Sequence, residues 1–216
     1  MNYWGVRVKV CGITSVDDAM MAIGSGADAI GFVFAKSPRQ IGFAEAAKIA
    51  SQLPPYAVCV GVFVNEPLST ISQCLETFLD YAQLHGEESP VECEALSHVI
   101  HGAGRIIKVF RVADSVDLEV VKRYESVCAY HLDTRVEHVK GGSGTTFNWD
   151  VAKKVVDLGK PVILAGGLTP ENVEEAVRTV RPYAVDASSG VEKAPGKKDE
   201  RKVKEFIKRA KMCAAG

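Results

Sequence analysis

The sequence predicts an α/β fold, a single (β/α)8 TIM barrel in which eight parallel strands are each followed by a helix. Short β-rich segments alternate eight times with longer segments of helical spacing along the 216 residues. Several strand segments are almost wholly apolar, as expected for parallel strands that helices cover. The chain is also close to the ~250 residues typical of such a barrel. We therefore treat residues 1–216 as one domain.

The segments follow one another in a regular order. The predicted strands are VRVKVC, AIGFVF, AVCVGVFV, YAQLHG, RIIKVFRV, AYHLD, PVILAGG and AVDASSG. The helices that follow them are SVDDAMMAIGSG, GFAEAAKIASQL, PLSTISQCLETF, SPVECEALSHVI, DLEVVKRYESV, FNWDVAKKVVDLG, TPENVEEAVRTV and DERKVKEFIKRAKM. Two helix starts are clear: Ser15 precedes Asp18 by three residues, and Thr169 precedes Pro170 at the first helical position. The alternative is an open doubly wound sheet, which usually has a glycine-rich dinucleotide turn where this chain has CGITS.

Composition excludes several classes of function. Lys and Arg number 26 and Asp and Glu 27, which is unlike the strongly basic balance of a nucleic-acid-binding protein. No apolar run approaches the ~20 residues of a membrane helix. The start, MNYWGVRVKV, lacks the features of a secretory signal, so we expect a cytoplasmic protein. The six cysteines are scattered without zinc-ligand spacing, which predicts reduced thiols and no metal.

Glycine-rich segments follow the last three predicted strands. In a barrel the chemistry lies at the C-terminal ends of the strands, and the loops after the seventh and eighth strands often bind phosphate. Glycines let backbone N–H groups approach an anion, and a following helix N-terminus adds partial positive charge. We therefore predict a phosphorylated small-molecule substrate. The candidate phosphate-binding residues are Gly142, Ser143, Gly144, Gly166, Gly167, Ser188, Ser189 and Gly190.

Two ionisable side chains lie at the ends of predicted strands, Cys11 on the first and Asp133 on the sixth. Alternation places Cys11 on the face of Lys9 and Asp133 on the face of His131, so the two groups could face each other across the barrel. A thiol and a carboxylic acid in that arrangement are suited to act as general base and general acid. The pair requires a carboxyl whose pKa is raised by burial and a thiol that yields thiolate. The alternative is a packed core thiol and a plain turn cap.

Three further side chains are candidates for contacts with the substrate. Arg39 carries a planar fork suited to a carboxylate, although it could equally be a solvated surface charge. His85 ends the fourth predicted strand, where it could line the site or take part in catalysis. Asp186 ends the eighth and could accept a substrate hydroxyl or brace a loop.

Seven motifs in order give the chain a specific resemblance to a known family. They are KVCGIT, KSPRQI, QLHGEES, HLDT, GGSGTTFNW, LAGGLTPENV and DASSGVE. Together they resemble the phosphoribosylanthranilate isomerases of tryptophan biosynthesis, from residue 9 to residue 199. The resemblance implies a (β/α)8 barrel that needs no cofactor or metal. It also implies an Amadori rearrangement of N-(5-phosphoribosyl)anthranilate to 1-(2-carboxyphenylamino)-1-deoxyribulose 5-phosphate.

The resemblance also implies roles for individual residues. Asp133 matches the acid that protonates the ring oxygen, Cys11 the base that removes the C2′ proton, and Arg39 the contact to the anthranilate carboxylate. The glycine-rich loops match the phosphate site. One alternative is a related or bifunctional isomerase of histidine biosynthesis, although such enzymes typically carry aspartate at the position of Cys11. The other is a non-catalytic phosphate-ligand sensor on the same scaffold. The sequence leaves monomer and homodimer open.

Overall fold

A computed structural model describes residues 5–112, 115–133 and 149–212. Eight parallel strands pair in sequence order, and the last pairs with the first to close a barrel. The predicted (β/α)8 barrel is therefore confirmed. The strands are β1 Arg7–Cys11, β2 Ala29–Val33, β3 Val58–Phe63, β4 Tyr81–Leu84, β5 Ile106–Arg111, β6 Ala129–Asp133, β7 Val162–Ala165 and β8 Ala184–Ala187.

Helices cover the outside of the barrel, and their apolar faces pack on the outward-facing strand residues to form the main core. A smaller apolar cluster built from Val60, Ile107, Ala129, Ile163 and Ala184 lies inside the barrel. None of the helices described here is long and apolar enough to cross a membrane. The helices are α1 Val16–Gly24, α2 Phe43–Ala50, α3 Leu68–Thr77, α4 Pro90–Val99, α5 Leu118–Lys122, α6 Trp149–Val156, α7 Val173–Val180 and α8 Glu200–Met212.

One of the two predicted helix starts is confirmed. Ser15 is the N-cap of α1, and its side chain accepts a hydrogen bond from the backbone N–H of Asp18. This bond satisfies one of the backbone donors that the first turn of a helix leaves without an intrahelical partner. Since Cys11 ends β1 four residues earlier, the cap fixes where the chain turns away from the mouth of the barrel.

The other predicted start, with Pro170 at the first helical position, is wrong. The helix α7 begins three residues later. Asn172 Oδ1 accepts a hydrogen bond from Thr169 N at 2.8 Å, and Thr169 Oγ1 accepts one from Glu171 N at 3.2 Å. These side-chain bonds hold residues 169–172 in a turn, because short polar side chains compete with the helix for backbone donors.

The segment between β8 and α8 contains structure that the eight-unit pattern does not predict. A short 3₁₀ helix, Ser189–Val191, leads into an antiparallel hairpin of β9 Glu192–Ala194 and β10 Lys197–Lys198. The Lys198 ammonium donates to the backbone carbonyl of Cys11 at 2.6 Å and to that of Ser188 at 3.3 Å. The hairpin is therefore anchored to the C-terminal ends of two neighbouring barrel strands.

Candidate active site

A cavity of about 250 Å³ opens at the C-terminal ends of the barrel strands. It brings together all of the predicted site residues that the structure describes. Three other candidates, Gly142, Ser143 and Gly144, lie outside the described residues. The predicted residues that line the cavity are Cys11, Arg39, His85, Asp133, Gly166, Gly167, Asp186, Ser188, Ser189 and Gly190.

Cys11 borders this cavity as the last residue of β1 and is 8% exposed. The neighbouring strand gives it room, because a Cβ on Gly31 would stand only 2.7 Å from the thiol Sγ. Burial raises the pKa of the Cys11 thiol, and the nearby Lys9 ammonium opposes that rise. The group is therefore a neutral thiol at rest, with a cation beside it.

A buried network of three side chains lies at the floor of the cavity. Asp186 Oδ2 accepts a hydrogen bond from Lys9 Nζ at 2.7 Å and contacts His131 Nε2 at 3.0 Å. Although burial alone would raise it, the Lys9 charge and the His131 bond bring the pKa of Asp186 to about 2. Burial lowers the pKa of His131, which keeps the imidazole neutral. The network therefore holds one ion pair and one neutral ring.

Two members of this network and the neighbouring Gln83 keep unused hydrogen-bonding capacity. Three buried atoms, Asp186 Oδ1, His131 Nδ1 and Gln83 Oε1, have no hydrogen-bond partner among the residues described. Buried polar atoms are nearly always satisfied, and all three side chains line the cavity. Such atoms are suited to bind the polar groups of a ligand. This favours the prediction of a hydroxyl acceptor at Asp186 over that of a loop brace.

Asp133 ends β6 and lies beside His85. The Asp133 Oδ2 and His85 Nε2 atoms are 3.4 Å apart, and both side chains are about one-fifth exposed. Strands β7 and β8 separate β6 from β1, so Asp133 and Cys11 border the cavity from different sides. The two side chains that we predict to act as acid and base therefore line one cavity.

Arg39 meets a carboxylate that belongs to the chain itself. Its Nε and Nη2 atoms donate to the two carboxylate oxygens of Glu192, each at 2.7 Å. Lys198 also donates to Glu192 Oε1, at 2.9 Å. Arg39 is only 15% exposed, so the alternative of a solvated surface charge is wrong. The bidentate pair fixes the guanidinium at the rim of the cavity.

The loops after β7 and β8 depend on their glycines. Gly166 and Gly167 have φ angles of 87° and 68°, which side chains other than glycine rarely adopt. A Cβ on Gly190 would collide with the backbone carbonyl of Leu168. The two loops therefore lie against each other and present backbone at the rim, as an anion site requires.

Five side chains that take part in the candidate site are not among the residues predicted from the sequence: Lys9, Gln83, His131, Glu192 and Lys198. A signal existed for Lys9, since it stands between Val8 and Val10 in a strand, and a lysine that is buried in this way rarely lacks a partner. No local pattern identifies Glu192, because its partner Arg39 lies 153 residues away along the chain.

Comparison with known proteins decides the family. The sequence model described as N-(5'phosphoribosyl)anthranilate (PRA) isomerase matches residues 8–209. The chain belongs to this family. The isomerase of this name from Geobacter metallireducens is 50% identical over 208 residues, covering 95% of this chain and 99% of that protein.

Solved structures of the phosphoribosylanthranilate isomerase family have the same fold. The crystal structure of the Thermotoga maritima protein matches with a TM-score of 0.85 and 44% identity, covering 95% of this chain and 98% of that one. A second structure holds reduced 1-(o-carboxyphenylamino)-1-deoxyribulose 5-phosphate; its TM-score is 0.82 and its identity 42%, with the same coverage. The predicted resemblance, and with it the aldose–ketose isomerase class, is confirmed.

Proposed function

We propose that this chain converts N-(5-phosphoribosyl)anthranilate into 1-(2-carboxyphenylamino)-1-deoxyribulose 5-phosphate, with Cys11 as general base and Asp133 as general acid. The observation that carries the proposal is the cavity that both side chains border, with Arg39 at its rim. The relatives' names and the compound bound to one of them support this choice of substrate.

The chemistry consists of proton transfers. Asp133 gives its proton to the ribose ring oxygen while the C1′–O bond breaks and the anthranilate nitrogen lone pair forms a C1′=N bond. Cys11, as thiolate, removes the C2′ proton, and those electrons form C1′=C2′ as the nitrogen regains its pair. The resulting enolamine becomes the ketone when the C2′ hydroxyl loses a proton and C1′ gains one. Because nothing is oxidised or reduced overall, these steps need no redox cofactor, and the two side chains supply the proton transfers.

The remaining residues bind and orient the substrate. Arg39, held by Glu192 through Nε and Nη2, keeps the N–H groups of Nη1 for the anthranilate carboxylate. Asp186 accepts a hydrogen bond from a ribose hydroxyl through Oδ1, which has no hydrogen-bond partner among the described residues. The glycine-rich loops bind the phosphate through backbone N–H groups; their residues are Gly142, Ser143, Gly144, Gly166, Gly167, Ser188, Ser189 and Gly190.

Complementation of a tryptophan auxotroph that lacks this isomerase tests the proposal, together with conversion of the substrate by the purified chain. We expect growth with the natural sequence, and a kcat about 10²- to 10⁴-fold lower for Asp133→Asn. Asp117→Asn is the matched control, since Asp117 caps the exposed start of α5 and asparagine also caps helices. A soluble chain that neither complements nor converts the substrate would contradict the proposal, as would conversion of only the aminoaldose of histidine biosynthesis.

A further inference from the structure

Lys9 shares one small space with the thiol of Cys11. Both residues belong to β1 and point to the inner face of the barrel, two positions apart. Gly31, on the adjoining strand, supplies the space: a Cβ there would stand 2.7 Å from Cys11 Sγ and 3.1 Å from Lys9 Nζ. Since Gly31 has no side chain, no side chain at this position of β2 separates the sulfur from the ammonium.

The ammonium beside the thiol is charged and buried. Lys9 is 4% exposed. Burial lowers the pKa of its ammonium, but the interactions with Asp186 and Cys11 outweigh burial, so the pKa lies above its ordinary value. Charges interact more strongly in a buried, low-dielectric site than in water. A cation next to a cysteine favours thiolate, whereas an anion favours thiol. Cys11 therefore experiences two opposing effects, one from Lys9 and one from Asp186.

We propose that Lys9 is a positioning residue that stabilises the thiolate of Cys11, while Asp186 holds the ammonium in place and competes for its charge. The inference rests on the proposed role of Cys11 as general base. At rest, Lys9 and Asp186 neutralise each other. When the thiol loses its proton, the ammonium is shared between the sulfur and the carboxylate.

Other groups also act on Cys11, so the effect of Lys9 must be isolated by changing that residue. Lys198 adds a second ammonium, hydrogen-bonded to the Cys11 carbonyl at 2.6 Å. The other titratable or charged side chains that line this cavity among the described residues are Asp186 on β8, His131 and Asp133 on β6, Arg111 on β5, His85 after β4 and Arg39 after β2.

The titration of Cys11 distinguishes charge stabilisation from a purely structural role. The rate of Cys11 alkylation by iodoacetamide is measured against pH by peptide mass spectrometry, and the midpoint of that profile is read. We expect Lys9→Met to raise the midpoint and slow alkylation at pH 8 by about 10-fold or more, because each pH unit of midpoint changes the thiolate fraction tenfold. We expect Asp186→Asn to lower the midpoint. Without the Asp186 carboxylate, the Lys9 ammonium interacts with the Cys11 thiolate and no longer shares its charge with a second anion.

Lys108→Met is the matched control. Lys108 pairs with Glu88 at the same 2.7 Å distance and similar burial, but on the outer face of the barrel wall, so its loss reports the indirect effect of destabilisation and should move the Cys11 midpoint far less than Lys9→Met does. If Lys9→Met does not fold, Lys9→Met/Asp186→Asn leaves neither charge of the pair uncompensated, and its midpoint should exceed that of Asp186→Asn.

Two results would overturn the inference. The first is a midpoint that loss of Lys9 leaves unchanged. The second is a shift in the same direction for Lys9→Met and Asp186→Asn, which indicates loosened packing rather than charge. Failure of the proposed function is a separate result. A fully active Cys11→Ala enzyme would show that Cys11 is not the base, whereas the alkylation midpoints of the variants that retain Cys11 would stand.

Discussion

Two buried ion pairs lie on opposite faces of the barrel wall and have the same contact distance, but they differ in their other hydrogen bonds. Lys9–Asp186 and Lys108–Glu88 both have Nζ–O distances of 2.7 Å, and all four side chains are at most 6% exposed. Lys9 points to the barrel interior, whereas Lys108 lies between Ile107 and Val109 on its strand and so points outward. The contacts around each pair distinguish them.

The outer pair is fully hydrogen-bonded. Glu88 Oε1 accepts from the backbone N–H groups of Asn65 and Gly86, and Oε2 accepts from Gly86 and from Lys108. Lys108 also donates to the Gly86 carbonyl at 2.8 Å. Every contact fixes the loop that follows β4 and carries His85. This pair is a brace.

The inner pair is satisfied on one side only. Asp186 Oδ2 accepts from Lys9 and contacts His131, while Oδ1 has no hydrogen-bond partner in the described part of the chain. An unsatisfied buried oxygen costs free energy, so natural proteins seldom keep one without a use. Incomplete hydrogen bonding beside a cavity, rather than the ion pair itself, therefore distinguishes the pair at the candidate site.

The largest expected effect on stability is at the brace. Lys108→Met leaves the Glu88 carboxylate buried without its cation, which should lower the free energy of unfolding by about 3–5 kcal/mol. Urea unfolding measures this, with Lys122→Met as the control, because Lys122 pairs with Glu119 on the exposed surface and should contribute at most about 1 kcal/mol. Equal losses in the two variants would show that burial of the pair does not matter.

A smaller effect on the free energy of unfolding should come from the inner pair, Lys9–Asp186, when the pH is lowered. The pKa of Asp186 falls from an ordinary 3.8 to about 2 in the folded chain, so this group stabilises the fold above pH 4. That contribution, on the order of 2 kcal/mol, is lost as the pH falls from about 4 to about 2. Urea unfolding at several pH values should show a shallower decline for Asp186→Asn over this range. An unchanged slope would contradict the assigned ion pair.

Much of the fold follows from the sequence, because local patterns determine it. Apolar strands such as VILA and the periodic helices are readable one segment at a time, and so is the cap at Ser15. The start of α7 was missed because Thr169 and Asn172 favour a turn over a helix.

The site was predictable where it depends on strand ends and not where it depends on distant contacts. Alternation placed Cys11 with Lys9, and strand ends identified Asp133 and Asp186. The Arg39–Glu192 pair joins the loop after β2 to a hairpin near the C-terminus, and a single sequence does not reveal such pairing.

The most direct test of Cys11 as the general base is the kcat of Cys11→Ala, measured beside Cys59→Ala with N-(5-phosphoribosyl)anthranilate. Cys59 is also a buried strand cysteine, but it packs in the apolar core, where burial raises the pKa of its thiol to about 12. We expect kcat to fall by about 10²- to 10⁴-fold in Cys11→Ala and to be retained in Cys59→Ala. A Cys11→Ala enzyme with the kcat of the natural chain would contradict this role of Cys11.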